Sequence, residues 1–267
     1  MIKQFTLLLL FFFMTGKNIA QPSTASKQVS TFIIKAPQLE VSKKIWIYLP
    51  KSYSSSNKNY SVIYMHDAQN LFDSKTSYAG EWNVDEKLDS INAQVIVIGI
   101  EHGNDKRMDE LTPYKNEQYG GGNADAYLEF IVKTLKPQID SRYRTKTKTR
   151  NTLIMGSSLG GLVSYYAVLK YPKIFGKTAV FSPSFWFSDK IYDLAKDNKK
   201  MKTKIYFLCG DKESEDMVSD LNKMEKIVNQ KRCSCLNLTK KVIVKNGEHN
   251  EKLWRDGFSN AVKWLGY

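Results

Sequence analysis

The stretch 151-NTLIMGSSLGGLVSYYAVLKYP-172 decides the fold. A short apolar run leads into Gly156-Ser157-Ser158-Leu159-Gly160, and a segment of helical character follows through Lys170. The five residues fit Gly-x-Ser-x-Gly. A strand before the pattern and a helix after it give it physical meaning. Small residues two before and two after the serine let strand and helix pass closely. The serine is then held in a strained backbone conformation with its hydroxyl exposed. The N–H of Leu159, at the helix start, points into the same space and can stabilise an oxyanion. The competing reading is a glycine-rich connection that cradles phosphate. It lacks the Lys of a P-loop and the spacing of a dinucleotide fingerprint. Ser158 is read as a nucleophile.

Outward from this turn, strands and helices alternate. Residues 31–50 predict a two-stranded hairpin ending at Pro50. The apolar runs 61-SVIYM-65 and 94-QVIVIGI-100 are of buried-strand type. Residues 81–91 and 124–139 read as helices, with a long loop, 101–123, between the second run and the second helix. Strands over 177–183 and 204–210, a helix over 216–230, a last strand over 239–247 and a closing helix over 251–265 complete the chain. The order predicts an α/β fold: a mostly parallel central sheet with helices on both faces. In such sheets chemistry sits at the carboxyl ends of the strands.

A nucleophilic serine needs a base, and the base needs an orienting acid. The chain has three histidines. His249 alone follows the last strand, where the order serine, acid, histidine requires the base. His66 ends a strand near the presumed site and is read as lining the pocket or hydrogen-bonding a loop; His102 is read as a loop residue. The acid should follow the strand 204-KIYFLCG-210, and Asp211, Glu213, Glu215 and Asp216 all qualify.

Composition bounds the rest. The 267 residues suit one large core, and residues 21–267 are taken as a single domain. Residues 1–20, MIKQFTLLLLFFFMTGKNIA, have the charged tip, short apolar run and small final residue of a secretory signal peptide. The product is then periplasmic or secreted, with no stable membrane insertion; an uncleaved N-terminal anchor is the competing reading. Losing Lys3 and Lys17 takes the formal charge from +13 to +11. Such a surface attracts anions, but the short basic runs 144–150 and 240–245 do not make a nucleic-acid face. Cys209, Cys233 and Cys235 lack zinc-site spacing. Cys209 reads as a buried apolar residue on a strand.

The segments 61-SVIYMHDAQNLFD-73, 81-EWNVDEKLD-89, 94-QVIVIGIEHG-103, 153-LIMGSSLGGLVSYYAVLKYPKIFG-176, 180-VFSPSFWF-187 and 246-NGEHNEKLW-254, in this order, carry a family resemblance. The chain resembles the esterase family of α/β-hydrolases that includes S-formylglutathione hydrolase, feruloyl esterase domains, enterochelin esterases and mycolyltransferases. The resemblance covers nearly all of residues 21–267. It implies Ser158 as nucleophile and His249 as base. It selects Glu213, three residues after Gly210, as the acid, with Asp211 in reserve. It also implies the N–H of Gln69 as second oxyanion donor, on a loop where Ala68 replaces the family's usual glycine.

Phe185, Trp186 and Phe187 follow a strand end and are placed at the rim, where a sugar or aromatic acyl group would stack; ordinary packing is the competing reading. Arg107, in the long loop, is placed to meet an anionic group of the substrate, with an ion pair to Asp109 or Glu110 as the alternative. The expected activity is hydrolysis of carboxylic esters through an acyl-enzyme, on acyl sugars, polysaccharides or ester-linked siderophores. It needs no metal or organic cofactor. Acyl transfer to an alcohol and a non-catalytic binding role are the alternatives on the same scaffold.

Overall fold

The structure, a computed structural model, describes residues 22–198, 202–231 and 237–267. The expected leader over 1–20, together with Cys233 and Cys235, lies outside the described residues. Eight strands form one sheet: β1 (Val29–Ala36), β2 (Val41–Tyr48), β3 (Ser61–His66), β4 (Val95–Ile100), β5 (Thr152–Ser157), β6 (Lys177–Phe181), β7 (Lys204–Gly210) and β8 (Thr239–Val244). Their order is β1-β2-β4-β3-β5-β6-β7-β8. The expected hairpin is β1–β2, with Val29 opposite Tyr48, and β2 joins β4 in the antiparallel sense. From β4 to β8 all neighbours run parallel.

Every residue of β3, β4 and β5 is buried, which is why these strands read as continuous apolar runs and do not alternate. Their side chains divide between two cores. Ile63, Met65, Val95, Val97, Leu153 and Met155 face a core closed by α1 (Val84–Ser90) and by the closing helix 251–265. Val62, Tyr64, Ile96, Ile98 and Ile154 face the other. That second core is covered by α2 (Arg107–Leu111), α3 (Ala124–Glu129), α4 (Lys136–Arg142), α5 (Leu159–Lys170), α6 (Lys190–Asp197) and α7 (Met217–Gln230). The closing helix is α8 (Glu251–Leu265), begun by the Asn250 side chain accepting from the Leu253 N–H at 3.0 Å and ended by Gly266 at φ 91°.

Three details differ from the sequence reading. The 101–123 loop contains α2, a five-residue helix too short to show a period. The helix expected over 124–139 runs to Arg142 and widens to a π-turn over Phe130–Leu135. Pro137 supplies the reason: it has no N–H to donate one turn back, and its ring crowds that turn. Helix α6 had no counterpart in the sequence reading.

The parallel strands end at one edge, and two of those ends are locked backbone to backbone. The Asp211 N–H donates to the Val244 carbonyl at 3.1 Å and the Lys212 N–H to the Gly247 carbonyl at 2.9 Å. A Cβ on Gly210 would lie 2.1 Å from the Gly247 oxygen. Only glycine permits this approach, which sets the loop carrying Glu213 against the loop carrying His249. Gly210→Ala is expected to cost roughly 2 kcal/mol or more, read as a lowered midpoint in urea denaturation.

Candidate active site

Ser158 sits between β5 and α5 at φ 56°, ψ −123°, a conformation that L-residues avoid. Its neighbours hold it there. The Ser158 N–H donates to the Phe181 carbonyl at 3.0 Å, and the Ser158 carbonyl accepts from Leu162 at 3.0 Å and Ser184 at 3.1 Å. A Cβ on Gly156 would meet the Gly160 carbonyl carbon at 2.9 Å, so the glycine two residues before the serine is demanded by contact. The hydroxyl lies 3.3 Å from that of Ser184.

Of the four candidate acids after β7, Glu213 alone bonds a histidine: its Oε2 is 2.7 Å from His249 Nδ1. The carboxylate is 1% exposed and the imidazole 36%. Burying a carboxylate is costly unless its oxygens are satisfied. Here Oε1 accepts from the Ser182 hydroxyl at 2.7 Å and the Gly210 N–H at 2.5 Å. Ser182 in turn accepts from Trp254 Nε1 at 2.8 Å, and the Trp254 ring meets His249 edge-on at 5.0 Å. With Nδ1 engaged, Nε2 of His249 is the ring nitrogen free for the cleft. Asp211 is occupied elsewhere, accepting from the Asn246 N–H at 2.6 Å.

The third wall is the turn after β3. Asp67 has φ 56°, and its carboxylate takes both Nε and Nη2 of Arg107, at 2.7 and 2.8 Å. Burial alone would raise the Asp67 carboxyl; the charge and hydrogen bonds of Arg107 outweigh it and hold the carboxyl below its usual range. This bidentate pair corrects the expectation that Arg107 pairs with Asp109 or Glu110 when not with substrate. Asp109 pairs with Lys106 and Glu110 with the buried Lys43. The Gln69 side chain brackets the His102 backbone, donating to its carbonyl at 3.1 Å and accepting from its N–H at 3.3 Å. Among the described residues, no hydrogen bond uses the N–H of Gln69 or of Leu159. The 101–123 segment is thus tied to the strand ends by Lys43, Asp67 and Gln69.

Ser158, His249, His66, Asp67, Gln69, Asn70, His102, Arg107, Glu251 and Trp254 all line one cleft of about 620 Å³. Phe185 does not reach it. It is fully buried and packs on Tyr165 and Tyr192, so it is a core residue and the stacking role expected of it is withdrawn. Trp186 is 54% exposed, edge-on to Tyr119, and lies outside the cleft lining. Sequence reading missed Glu251, whose carboxyl is raised by burial, and Asn70 and Tyr78 in the same wall. The only sequence signal for Glu251 was its place two residues after His249.

His66 is buried against the turn. Its Nδ1 lies 2.7 Å from the Tyr127 hydroxyl, and its Nε2 has no partner among the described residues. Burial pushes its pKa down to about 4, with Asp67 opposing and Arg107 assisting. The unfolded chain therefore takes up a proton near pH 6.5 that the folded chain refuses until about pH 4. Stability from this residue is complete above about pH 6.5 and falls as pH drops, by about 3 kcal/mol at pH 4. His66→Asn should flatten the unfolding free energy across that window, measured by urea titrations at several pH values.

A family model described as Putative esterase matches residues 36–265. The uncharacterized protein YbbA of Bacillus subtilis (strain 168) is 27% identical over 241 residues, which is 84% of this chain and 92% of the relative. The BES protein from Bacillus cereus superposes with TM-score 0.74 at 18% identity, over 92% of this chain and 98% of that one. The enterobactin esterase FES from Shigella flexneri, solved in the presence of enterobactin, gives TM-score 0.72 at 15% identity, over 91% of this chain and 60% of that one. The match over residues 36–265, on a sheet of this order and sense, makes the chain a member of the Putative esterase family, carboxylic ester hydrolases of α/β-hydrolase fold.

Proposed function

We propose that the chain is an exported serine esterase in which Ser158, His249 and Glu213 act as nucleophile, base and orienting acid. The observation that carries this reading is the 2.7 Å contact of His249 Nδ1 with the buried Glu213, in the cleft that the strained Ser158 also lines. Ser158 Oγ adds to the ester carbonyl carbon while His249 Nε2 takes its proton. The carbonyl oxygen becomes an oxyanion, held by the N–H groups of Leu159 and Gln69. The C–O bond to the alcohol breaks as His249 returns the proton to the leaving oxygen. Water then adds to the acyl-Ser158 ester, giving its proton to His249. Collapse of the second intermediate frees the acid and restores the Ser158 hydroxyl. Glu213 keeps the Nδ1–H tautomer in place and steadies the imidazolium without itself being protonated.

The lining supports a polar substrate. Asp67, Gln69, Asn70, Thr76, Asn104, Arg107 and Glu251 present hydrogen-bonding groups around the serine. Such a wall suits an ester whose alcohol or acyl half carries hydroxyls, as in acyl sugars or catechol siderophores. The name of the Shigella flexneri neighbour points the same way. Export rests on the apolar run that follows Lys3. Among the described residues, no helix is long and apolar enough to cross a membrane.

Hydrolysis of p-nitrophenyl acyl esters tests the assignment. Ser158→Ala should lower kcat by roughly 10⁵-fold or more. Glu213→Gln should lower it by roughly 10²–10⁴-fold, with the fold intact by circular dichroism. Unchanged hydrolysis by Ser158→Ala would place the chemistry elsewhere.

A further inference from the structure

Beneath the wall of the cleft that carries Trp82, three carboxylates converge. Ligand oxygens of Glu81, Asp85 and Glu86 all lie within 4.8 Å of one another. Glu81 is 6% exposed and Asp85 is fully buried, whereas Glu86 stands at the solvent edge. One oxygen of each buried group is used by the N-terminal segment. Glu81 Oε2 accepts from the Thr24 hydroxyl at 2.9 Å, and Asp85 Oδ2 accepts from the Ser26 N–H at 2.7 Å. The remaining oxygens, Glu81 Oε1 and Asp85 Oδ1, are buried and have no donor among the described residues.

Two buried carboxyl groups, each with an oxygen that lacks a donor and both within a cluster whose ligand oxygens lie inside 4.8 Å, repel when charged unless a positive charge lies between them. The neighbouring groups do not supply it. Asp73 adds a fourth negative charge, its oxygens taken by Ser23, Thr24 and Lys75. Arg255 approaches, but its Nη1 donates at 2.9 Å to the Glu81 backbone carbonyl and not to a carboxylate.

We propose that Glu81, Asp85 and Glu86 form a binding site for a hard divalent cation, Ca²⁺ in the first place, that ties residues 22–26 to the first turn of α1. Ca²⁺ takes oxygen ligands at about 2.3–2.6 Å, so ligands on its opposite sides stand about 5 Å apart, the scale of this cluster. Mg²⁺, at about 2.0–2.1 Å, needs a tighter cage. Water completes the shell from the open side beside Glu86. The site is separate from the ester chemistry. Its effect is structural, fixing the N-terminal segment against Glu81, whose neighbour Trp82 lines the cleft and stacks on Phe181.

The test uses the full chain, stripped with EDTA and returned to metal-free buffer at about pH 7.5, well above the ordinary carboxylate range. Calorimetric titration with CaCl₂ should show one Ca²⁺ per chain. About 5 mM CaCl₂ should raise Tm by roughly 3–6 °C, and MgCl₂ by less. Glu86→Gln, at the solvent edge, should weaken Ca²⁺ binding about tenfold or more without altering the fold. Asp85→Asn should lose the Ca²⁺-dependent shift whatever it does to the metal-free Tm. The proposal is overturned if the wild type shows neither heat nor Tm shift with Ca²⁺, Mg²⁺ or Mn²⁺, or if Asp85→Asn keeps the full shift. It is equally overturned if Tm rises only as pH is lowered, because the carboxylates would then be sharing a proton.

Discussion

The turn at Ser158 is the constraint on which the site is built. A residue at φ 56° is strained, and it persists only where the surroundings leave it no alternative. Here Phe181 from β6, Leu162 within α5 and Ser184 beyond β6 each hold one backbone group of the serine. Gly156 lets the strand and helix backbones approach more closely than any side chain would permit, and Gly160 leaves room for His66 and Asp67. One consequence is that the hydroxyl projects beyond the sheet edge. Another is that α5 is driven into the interior, where its residues from Leu159 to Leu169 are all buried.

The same edge of the sheet gathers the other groups by different means. Glu213 is far from Ser158 in sequence, yet its carboxylate is shared by Gly210, Ser182 and His249. Each of these comes from a different strand end, so the carboxylate works as a fastening as well as a partner for the imidazole. A carboxylate at 1% exposure would raise the energy of the fold without those donors. On the far side of the cleft, Arg107 fixes Asp67 and Gln69 fixes His102. Among the described residues the N–H groups of Gln69 and Leu159 have no acceptor, in keeping with the oxyanion role proposed for them.

Much of this was legible in the chain. The apolar runs of β3 to β5 announce buried parallel strands because both faces of each are covered. The glycine spacing around Ser158 and the position of His249 follow from how such strands must turn. The acid was harder: Asp211, Glu213, Glu215 and Asp216 are equivalent by order, so that Glu213 was chosen by family resemblance alone until the folded loop set it against His249. Phe185 went astray because an aromatic residue after a strand end can turn inward or outward; here Tyr165 and Tyr192 make a pocket for it, and Trp186 takes the outward place. Arg107 could not be matched to Asp67 because the two lie 40 residues apart. Short elements such as α2 escape periodicity altogether, and the wide turn before Pro137 is visible only as a local conflict in hydrogen bonding.

Mass spectrometry of the folded protein after exposure to a fluorophosphonate bears most directly on the central claim. With Ser158 as the proposed nucleophile and His249 as its base, the protein should take one phosphonyl group. Peptide mapping should place it on Ser158, with no labelling of urea-unfolded protein or of Ser158→Ala. Absence of an adduct, or an adduct on Ser157 or Ser184, would contradict the account.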